Sequence, residues 1–164
     1  MTTRESKVVL EPVSADKRQL LENLLQLYAY DFSEFYGDEI GESGDYGYDR
    51  LLRYYWDGQN PDPFVIRVDG NVAGFVMVKR KEFKSVDYHS IAEFFVLKKY
   101  RKSGIGTKAA EMAFSKFPGK WYVDVIQANQ PARSFWEKVF NSFTGGKYVR
   151  SEDSEGKKII FTFA

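Results

Sequence analysis

Apolar and polar residues follow two different periods along this chain, and the changes of period predict where strands and helices alternate. Short apolar runs predict strands at residues 7–10, 64–68, 72–80, 88–97 and 121–126. The Asp69-Gly70 pair between the second and third of these runs is typical of a tight hairpin turn. Two more strands are predicted near the C-terminus, around residues 143–149 and 157–163.

Helical spacing fills the intervals between these runs. A first helix is predicted from Asp16, because a set of apolar residues then recurs at helical spacing: Leu20, Leu21, Leu24, Leu25 and Tyr28. Residues 49–57 also follow a helical pattern. Further helices are predicted from Gly104 to about Phe117 and from near Pro131, because proline suits the first helical position.

The segment between the first two helices is acidic and rich in glycine. Residues 31–49 contain seven acidic residues, four glycines and neither Lys nor Arg. Because glycine disfavours a continuous helix, short helical pieces and loop are predicted here. The whole order of elements predicts one α/β domain over residues 1–164, with a mixed sheet and helices on both faces.

Composition narrows the classes of function. The 164 residues carry a net charge of +1, so no overall charge favours nucleic acid or a membrane surface. The chain has no cysteine and a single histidine, His89, which excludes a cysteine nucleophile and a site with several histidine ligands for a metal. We predict no metal and a structural role for His89. No apolar run is long enough to span a membrane, and the N-terminus lacks a secretory signal, so a cytoplasmic location is predicted.

The candidate chemistry lies in the sequence YRKSGIGTKAA, residues 100–110. Two glycines flanked by cations at the start of a helix are typical of a site that binds phosphate through backbone N–H groups. The P-loop motif does not fit, since Thr107 follows Gly106 where that motif has lysine. A dinucleotide fold does not fit either, because the preceding elements form an antiparallel hairpin. A turn without a ligand is the structural alternative.

What fits is R-x-x-G-x-G after a strand, followed 23 residues beyond Gly106 by the segment NQPARSFWEKVF, residues 129–140. With EFFVLKKYRKSGIG, residues 93–106, this pattern resembles the GNAT superfamily of acetyl-CoA-dependent N-acetyltransferases, and the order of elements is also similar. The resemblance implies a GNAT-like, mostly antiparallel sheet flanked by helices. It also implies acetyl transfer from acetyl-CoA, as co-substrate, to a primary amine.

The resemblance implies a role for each residue that matches the family's motifs. The backbone of Phe94, Phe95 and Val96 would pair with the pantetheine arm, and Asn129 would contact that arm with Phe135 packed nearby. The loop that starts the helix would bind the pyrophosphate through Arg101, Lys102, Ser103, Gly104, Ile105, Gly106 and Thr107. An N–H group near Val96 or Leu97 would stabilise the thioester oxygen.

Glu93 is the candidate catalytic base, because it lies on the strand before the loop and shares a face with Phe95. The structural alternative is a glutamate paired with a Lys or Arg. Without cysteine, direct transfer in a ternary complex is the hypothesis. The sequence departs from the family at Trp136, where many members have a tyrosine acid. Tyr122, Tyr100 or solvent stay open as substitutes, and Trp136 also fits a core position.

The acceptor is predicted to lie against the acidic segment, with Asp31, Phe32, Phe35 and Tyr36 as binding residues. A solvated acidic loop is the alternative. The acceptor would be a small-molecule or protein amine, and the apolar residues 159–163 fit either dimerisation or a central strand. Two competing functions are an acyl-CoA-binding module with little or no transferase activity and a nucleotide-binding module.

Overall fold

The structure is a computed structural model and describes residues 4–47 and 62–164. Three α-helices are described: α1 (Arg18–Tyr36), α2 (Ile105–Lys116) and α3 (Gln130–Thr144). Seven strands are described: β1 (Val8–Pro12), β2 (Pro63–Val68), β3 (Asn71–Phe83), β4 (Val86–Val96), β5 (Trp121–Ile126), β6 (Val149–Glu152) and β7 (Lys158–Phe163). Short 3-10 turns precede α1 and follow β4. The helix predicted at residues 49–57 lies outside the described residues.

The strands form one seven-stranded sheet in the order β1-β2-β3-β4-β5-β7-β6. In this sheet β4 and β5 run parallel, while the other neighbouring strands run antiparallel. The prediction of a mixed, mostly antiparallel sheet is therefore confirmed. The C-terminal apolar run forms β7, which pairs with β5 on one side and β6 on the other. That run is thus a central strand, and dimerisation stays a prediction.

Helices cover both faces of the sheet, as predicted, because side chains alternate along the strands. On one face, α1 buries Leu21 and Leu25 against Phe75, Met77 and Phe95 of β3 and β4. We call this the α1 face. On the opposite face, α2 and α3 pack on the alternate strand residues in a second cluster, which includes Ala110, Phe114, Val76, Val123 and Phe140. Each helix is amphipathic because only one of its sides meets the sheet.

The prediction for the start of the acidic segment is wrong. Residues 31–36 do not form separate helical pieces but continue α1 to Tyr36. The first glycine of the segment is Gly37, which ends the helix in the left-handed conformation with φ of 72°. Before it, Phe32 and Phe35 extend the helical spacing of Tyr28, so nothing in the sequence interrupts the helix there.

The prediction for the first C-terminal strand is also displaced. Residues 143 and 144 belong to α3, and β6 begins only at Val149. Phe143 continues the apolar side of α3 and contacts the ring of Phe114 at a centroid distance of 5.1 Å. Gly145 and Gly146, both with positive φ, then end the helix. The aromatic residues near the helix end therefore reflect helical packing rather than a strand.

The C-terminal half of β4 separates from β5. Paired residues between these strands are limited to His89 with Trp121 and Ser90 with Tyr122. Along β3 and β4 the pairing shifts at Ala92, which is the extra residue of a β-bulge. A bulge bends and twists its strand locally. The two strands therefore diverge beyond Ser90 and leave a gap beside the end of β4.

Candidate active site

The end of β4 presents to this gap backbone groups that no described strand pairs with. Leu97 donates its N–H to the carbonyl of Ala73 on β3, at 2.8 Å. Because backbone groups of successive strand residues point alternately to opposite sides, Phe95 also faces β3, whereas Phe94 and Val96 face the gap. Among the described strands, none pairs with these two residues on that side. An extended ligand can therefore pair with this edge of β4. The N–H of Val96, rather than that of Leu97, is directed toward the gap.

The loop after β4 forms a cradle of N–H groups. Lys102 and Gly104 both have positive φ, at 62° and 81°. Within the described part of the chain, none of the six N–H groups at residues 102–107 donates to a hydrogen-bond acceptor. The N-terminus of α2 adds the positive end of its dipole. Such a concave set of N–H groups fits an anion such as a phosphate.

The two glycines of the motif serve different purposes. Gly104 provides the left-handed conformation, and a Cβ built there would meet no atom within 4 Å. A Cβ at Gly106 would lie 3.0 Å from Cε2 of Phe135. Phe135 in turn stacks on Phe94 with 5.5 Å between ring centroids. Gly106 is therefore needed for close packing of α2 against α3, and Gly104 for the shape of the loop.

A cavity of about 570 Å³ connects the loop, the gap and the end of α1. It contains most of the residues predicted to bind cofactor or acceptor: Asp31, Phe32, Phe35, Phe94, Phe95, Val96, Arg101, Lys102, Gly104, Gly106, Thr107, Asn129 and Phe135. Two sets of residues predicted from separate segments therefore surround one space. Six aromatic side chains line it, with cations near the loop.

Four predicted site residues do not line this cavity. Ile105 is buried in the core, and Ser103 donates its hydroxyl to the carbonyl of Tyr100. Both line a second cavity of about 500 Å³ on the other side of the loop. Tyr36 is 56% exposed and stacks on the ring of Phe32. Glu93 lies on the α1 face beside Phe95, which does line the cavity.

Arg101 and Asp31 were predicted for different ligands, but their side chains pair with each other. The guanidinium donates to the Asp31 carboxylate at 2.8 Å and to the carbonyl of Val96 at 2.8 Å. It also lies 5.6 Å from the centroid of the Phe95 ring. Arg101 thus links α1, the end of β4 and the cradle. Lys102 has no acidic partner within 4.0 Å among the described residues and lies beside the cradle.

Asn129 caps the N-terminus of α3. Its side-chain oxygen accepts the N–H of Ala132 at 3.1 Å, and the residue is buried. Capping of the helix therefore explains why an asparagine stands just before α3. Its amide nitrogen has no acceptor in the described part of the chain, while the residue itself lines the cavity. The capped orientation is compatible with the predicted contact to a cofactor arm.

Glu93 accepts a hydrogen bond from the hydroxyl of Tyr28. Burial raises the pKa of the Glu93 carboxyl, and nearby Asp124 adds to this, while Tyr28 and Lys79 oppose it. A carboxylate whose pKa is raised toward neutrality is better suited to accept a proton. Sequence reasoning counted Tyr28 only as an apolar helix position. A tyrosine among leucines on a buried helix face was the signal, because its hydroxyl needs a partner.

Tyr122 is poorly suited to donate a proton. Its hydroxyl donates to the Asp124 carboxylate at 3.1 Å, and burial together with Asp124 raises the pKa of Tyr122 well above its ordinary value. Tyr100, the other substitute considered, lines the second cavity rather than the first. Neither phenol therefore lines the cavity of about 570 Å³, where it could replace the family's tyrosine acid.

Trp136 combines a core position with a place in the cavity wall. It is 5% exposed and packs against Phe94 and Phe140 at centroid distances of 5.1 and 5.8 Å. Its indole N–H has no acceptor among residues 4–47 and 62–164. The core interpretation of Trp136 agrees with this packing. An indole N–H is also a far weaker acid than a phenol.

The acidic segment divides into two parts. Asp31 and Glu34, on the last turns of α1, line the cavity. The acids beyond the helix are exposed, at residues 38, 39, 42 and 45. Asp45 organises its own loop by accepting from Ser43 and from the N–H of Gly47. Residues 48 and 49 lie outside the described residues. A solvated loop thus describes the second part, whereas the first belongs to the cavity.

His89 is packed between aromatic rings on the side of the sheet away from Glu93. Its ring centroid lies 5.4 Å from that of Phe117 and 5.5 Å from that of Trp121. Burial and the neighbouring Arg80 lower the pKa of His89. Within residues 4–47 and 62–164, no three acidic or histidine side chains are arranged to hold a metal. No helix there has the length and apolarity to cross a membrane.

The chain matches known proteins by sequence model and by structure. A sequence model described as the acetyltransferase (GNAT) family matches residues 21–141, which is more than half of the chain. No curated protein sequence matches it significantly. An acetyltransferase from Thermus thermophilus superposes with a TM-score of 0.71 at 16% identity, covering 96% of each chain.

Two further solved structures share the fold at similar identity. PaiA N-acetyltransferase from Thermoplasma acidophilum, in complex with coenzyme A, gives a TM-score of 0.60 at 16% identity, covering 95% of this chain and 98% of that one. The aminoglycoside acetyltransferase meta-AAC0020 from an uncultured soil metagenomic sample, in complex with sisomicin, gives 0.57 at 16% identity, covering 80% and 86%. At such identities the likeness establishes the common architecture.

Proposed function

We propose that this chain, which belongs to the acetyltransferase (GNAT) family, transfers an acetyl group from acetyl-CoA to a primary amine by direct transfer in a ternary complex. The observation that carries the proposal is the cradle at residues 102–107, whose N–H groups have no acceptor in the described part of the chain and four of whose residues line one end of the cavity. Nearby, no described strand pairs with the edge of β4 at Phe94 and Val96. An anion joined to an extended amide-containing arm fits this combination.

The described residues fit coenzyme A in charge and in shape. The cradle and Lys102 would bind the pyrophosphate, and the edge of β4 would bind the amide groups of the pantetheine arm. Phe135, stacked on Phe94, would line the apolar side of that arm. Acetyl-CoA would supply the acetyl group as an activated thioester. The N–H of Val96, which faces the gap, is the proposed donor to the thioester oxygen.

Glu93 is the proposed general base. A protonated amine must lose a proton before it can attack a thioester, and a partly buried carboxylate with a raised pKa is able to accept that proton. Glu93 has no Lys or Arg within 4.0 Å in the described part of the chain, so the alternative of a simple ion pair has no support. Its hydrogen-bond partner is instead a neutral phenol, Tyr28.

The departing thiolate receives its proton from solvent in this proposal. Trp136 is a weak acid within the core, and the hydroxyl of Tyr122 is directed at Asp124. A free thiol has a pKa of about 8.5, so at neutral pH the thiolate needs no strong acid nearby. The residues of this chain would therefore promote the attack of the amine more than the departure of the thiolate.

The acceptor is proposed to be a small-molecule or protein amine that approaches along the C-terminal turns of α1. Glu34 lines the cavity there beside the rings of Phe32 and Phe35. A carboxylate and aromatic faces both attract a cation. The meta-AAC0020 structure, which shares the fold, contains sisomicin.

The test combines binding with kinetics. Calorimetry with acetyl-CoA and CoA should show saturable binding, with ATP and NAD unable to compete, and a panel of amines should reveal turnover by release of CoA. Initial rates with both substrates varied should give intersecting lines, as expected for a ternary complex. Parallel lines would contradict direct transfer, and tight competition by ATP would favour a general nucleotide-binding module.

The second candidate is an acyl-CoA-binding module with little or no transferase activity. It is favoured by Trp136, because the site lacks a phenol where many family members have one. This candidate predicts tight acetyl-CoA binding without turnover on any amine of the panel. The same experiment therefore separates the two candidates.

A further inference from the structure

Tyr28 connects α1 to the candidate base across the α1 face of the sheet. Its hydroxyl donates to one carboxylate oxygen, Oε2, of Glu93. The two residues are 65 positions apart in the sequence, so the contact exists only because α1 packs over β4. Tyr28 is 7% exposed, which excludes water from most of the ring.

Aromatic neighbours fix the orientation of Tyr28. Its ring centroid lies 4.4 Å from that of Phe32, 5.4 Å from that of Phe75 and 5.7 Å from that of Phe95. Tilted and edge-to-face contacts of this kind are favourable for aromatic pairs. Since the ring is held on three sides, the packing of α1 on β3 and β4 determines where the hydroxyl oxygen lies.

The charged groups around Glu93 come from two other elements. Lys79 on β3 attracts the carboxylate, and Asp124 on β5 repels it, both through space. Neither makes a hydrogen bond or an ion pair with Glu93 in the described part of the chain. Tyr122, which donates to Asp124, is one step further away. Tyr28 is thus the group that directly determines where the carboxylate oxygens point.

We propose that Tyr28 is a positioning residue for the reaction, holding one oxygen of the Glu93 carboxylate so that the other is directed toward the acceptor amine. The inference rests on the proposed function, in which Glu93 accepts the proton of that amine. The hydrogen bond also favours the ionised carboxylate over the neutral acid, since only the former accepts it fully. Tyr28 itself exchanges no proton with the substrate.

The test is Tyr28→Phe, which removes the hydroxyl and keeps the packed ring. Loss of a hydrogen bond to a charged group should raise the pKa of Glu93 by about one pH unit. Carboxyl-carbon NMR of the unliganded protein measures this directly, without any activity. In the pH profile of kcat/KM, the acid limb should move to higher pH by the same amount, while KM for acetyl-CoA stays unchanged.

The matched control is Tyr30→Phe on the same helix, because Tyr30 is 67% exposed and makes no side-chain contact with Glu93. It should leave the NMR titration and the pH profile unchanged. An unaltered Glu93 titration in Tyr28→Phe, with only a lower melting temperature, would assign Tyr28 to packing and overturn the inference. If the parent protein has no transferase activity at all, the proposed function fails, while the NMR titration still decides the contact.

Discussion

The two ends of the candidate site are built from different parts of the polypeptide. At the cofactor end, the binding groups are backbone N–H and carbonyl groups of residues close in sequence: the cradle at 102–107 and the edge of β4. At the base end, the groups are side chains, and the contact of Tyr28 with Glu93 joins segments that are 65 positions apart in the sequence. The first depends on local conformation and the second on how α1 and the strands pack.

This difference determines how each end responds to substitution. A backbone site tolerates changes of side chain but not of backbone conformation, so its sensitive positions are glycines. A site made of side chains loses its function when one functional group is removed, even if the fold is unaltered. Arg101 belongs to both, because its guanidinium connects Asp31 on α1 to the carbonyl of Val96.

The largest expected effect is at the base end, in Glu93→Gln. The amide keeps the size of the side chain but cannot accept the proton of the amine, so kcat should fall by about 10²-fold or more. The affinity for acetyl-CoA, measured by calorimetry, should stay the same because the cradle is untouched. Glu82→Gln, an exposed position on β3, is the matched control. Equal loss in both variants, or no loss in either, would remove Glu93 from the mechanism.

The next effect should appear at the cofactor end, in Gly104→Ala. The left-handed conformation costs a residue with a Cβ about 1–2 kcal/mol, so relaxation of the loop should reduce the affinity for CoA about tenfold. Gly70→Ala is a matched control, because Gly70 has a similar φ of 85° in a turn of the β2–β3 hairpin away from the cavity. Both variants should lose similar stability, but only Gly104→Ala should lose affinity. If the two variants bound CoA with equal affinity, the left-handed conformation at Gly104 would not be needed for binding.

The same difference explains what the sequence could predict. The strand, loop and helix around Gly104 follow from local patterns, and so does the α/β fold with its mostly antiparallel sheet. By contrast, the pairing of Asp31 with Arg101 joins residues 70 positions apart, and no local pattern encodes it. Helical spacing places Tyr28 on the apolar side of the first helix, but spacing does not show what the hydroxyl of Tyr28 contacts.

Errors at the element ends have a related cause. The four glycines of residues 31–49 suggested short helical pieces and loop, yet α1 continues to the first of these glycines because Phe32 and Phe35 extend its apolar side. At the other end of the chain, aromatic residues suggested a strand where α3 was still packing on the core. At residues 31–36 the apolar spacing continues up to the first glycine, whereas at the end of α3 packing on the core outweighed the local preference for a strand.

A smaller effect is expected where the two ends meet, in Asp31→Asn. The ion pair with Arg101 is partly exposed, so its loss should lower the free energy of unfolding by at most about 1 kcal/mol. Because Arg101 also shapes the cradle, the affinity for CoA should fall about threefold. A matched pair is Arg18 with Glu22 at the start of the same helix, where Glu22→Gln should leave the affinity unchanged. A double-mutant cycle with Arg101→Met measures the coupling, and a zero coupling energy would contradict the link.

The smallest expected effect is on the stability of the protein, and it tests the base end of the site. Burial raises the pKa of Glu93 in the folded protein, so the folded state holds this proton more tightly than the unfolded chain does. The stability contributed in this way is fully present below the unfolded pKa and is lost as the pH rises through the folded pKa. Glu93→Gln removes this titration and can still accept from Tyr28. Its melting temperature should therefore exceed that of the parent at pH 8, and the excess should shrink toward pH 4. An excess that stays constant with pH would mean that the carboxylate is not destabilised by burial, and the base would then have no raised pKa to use.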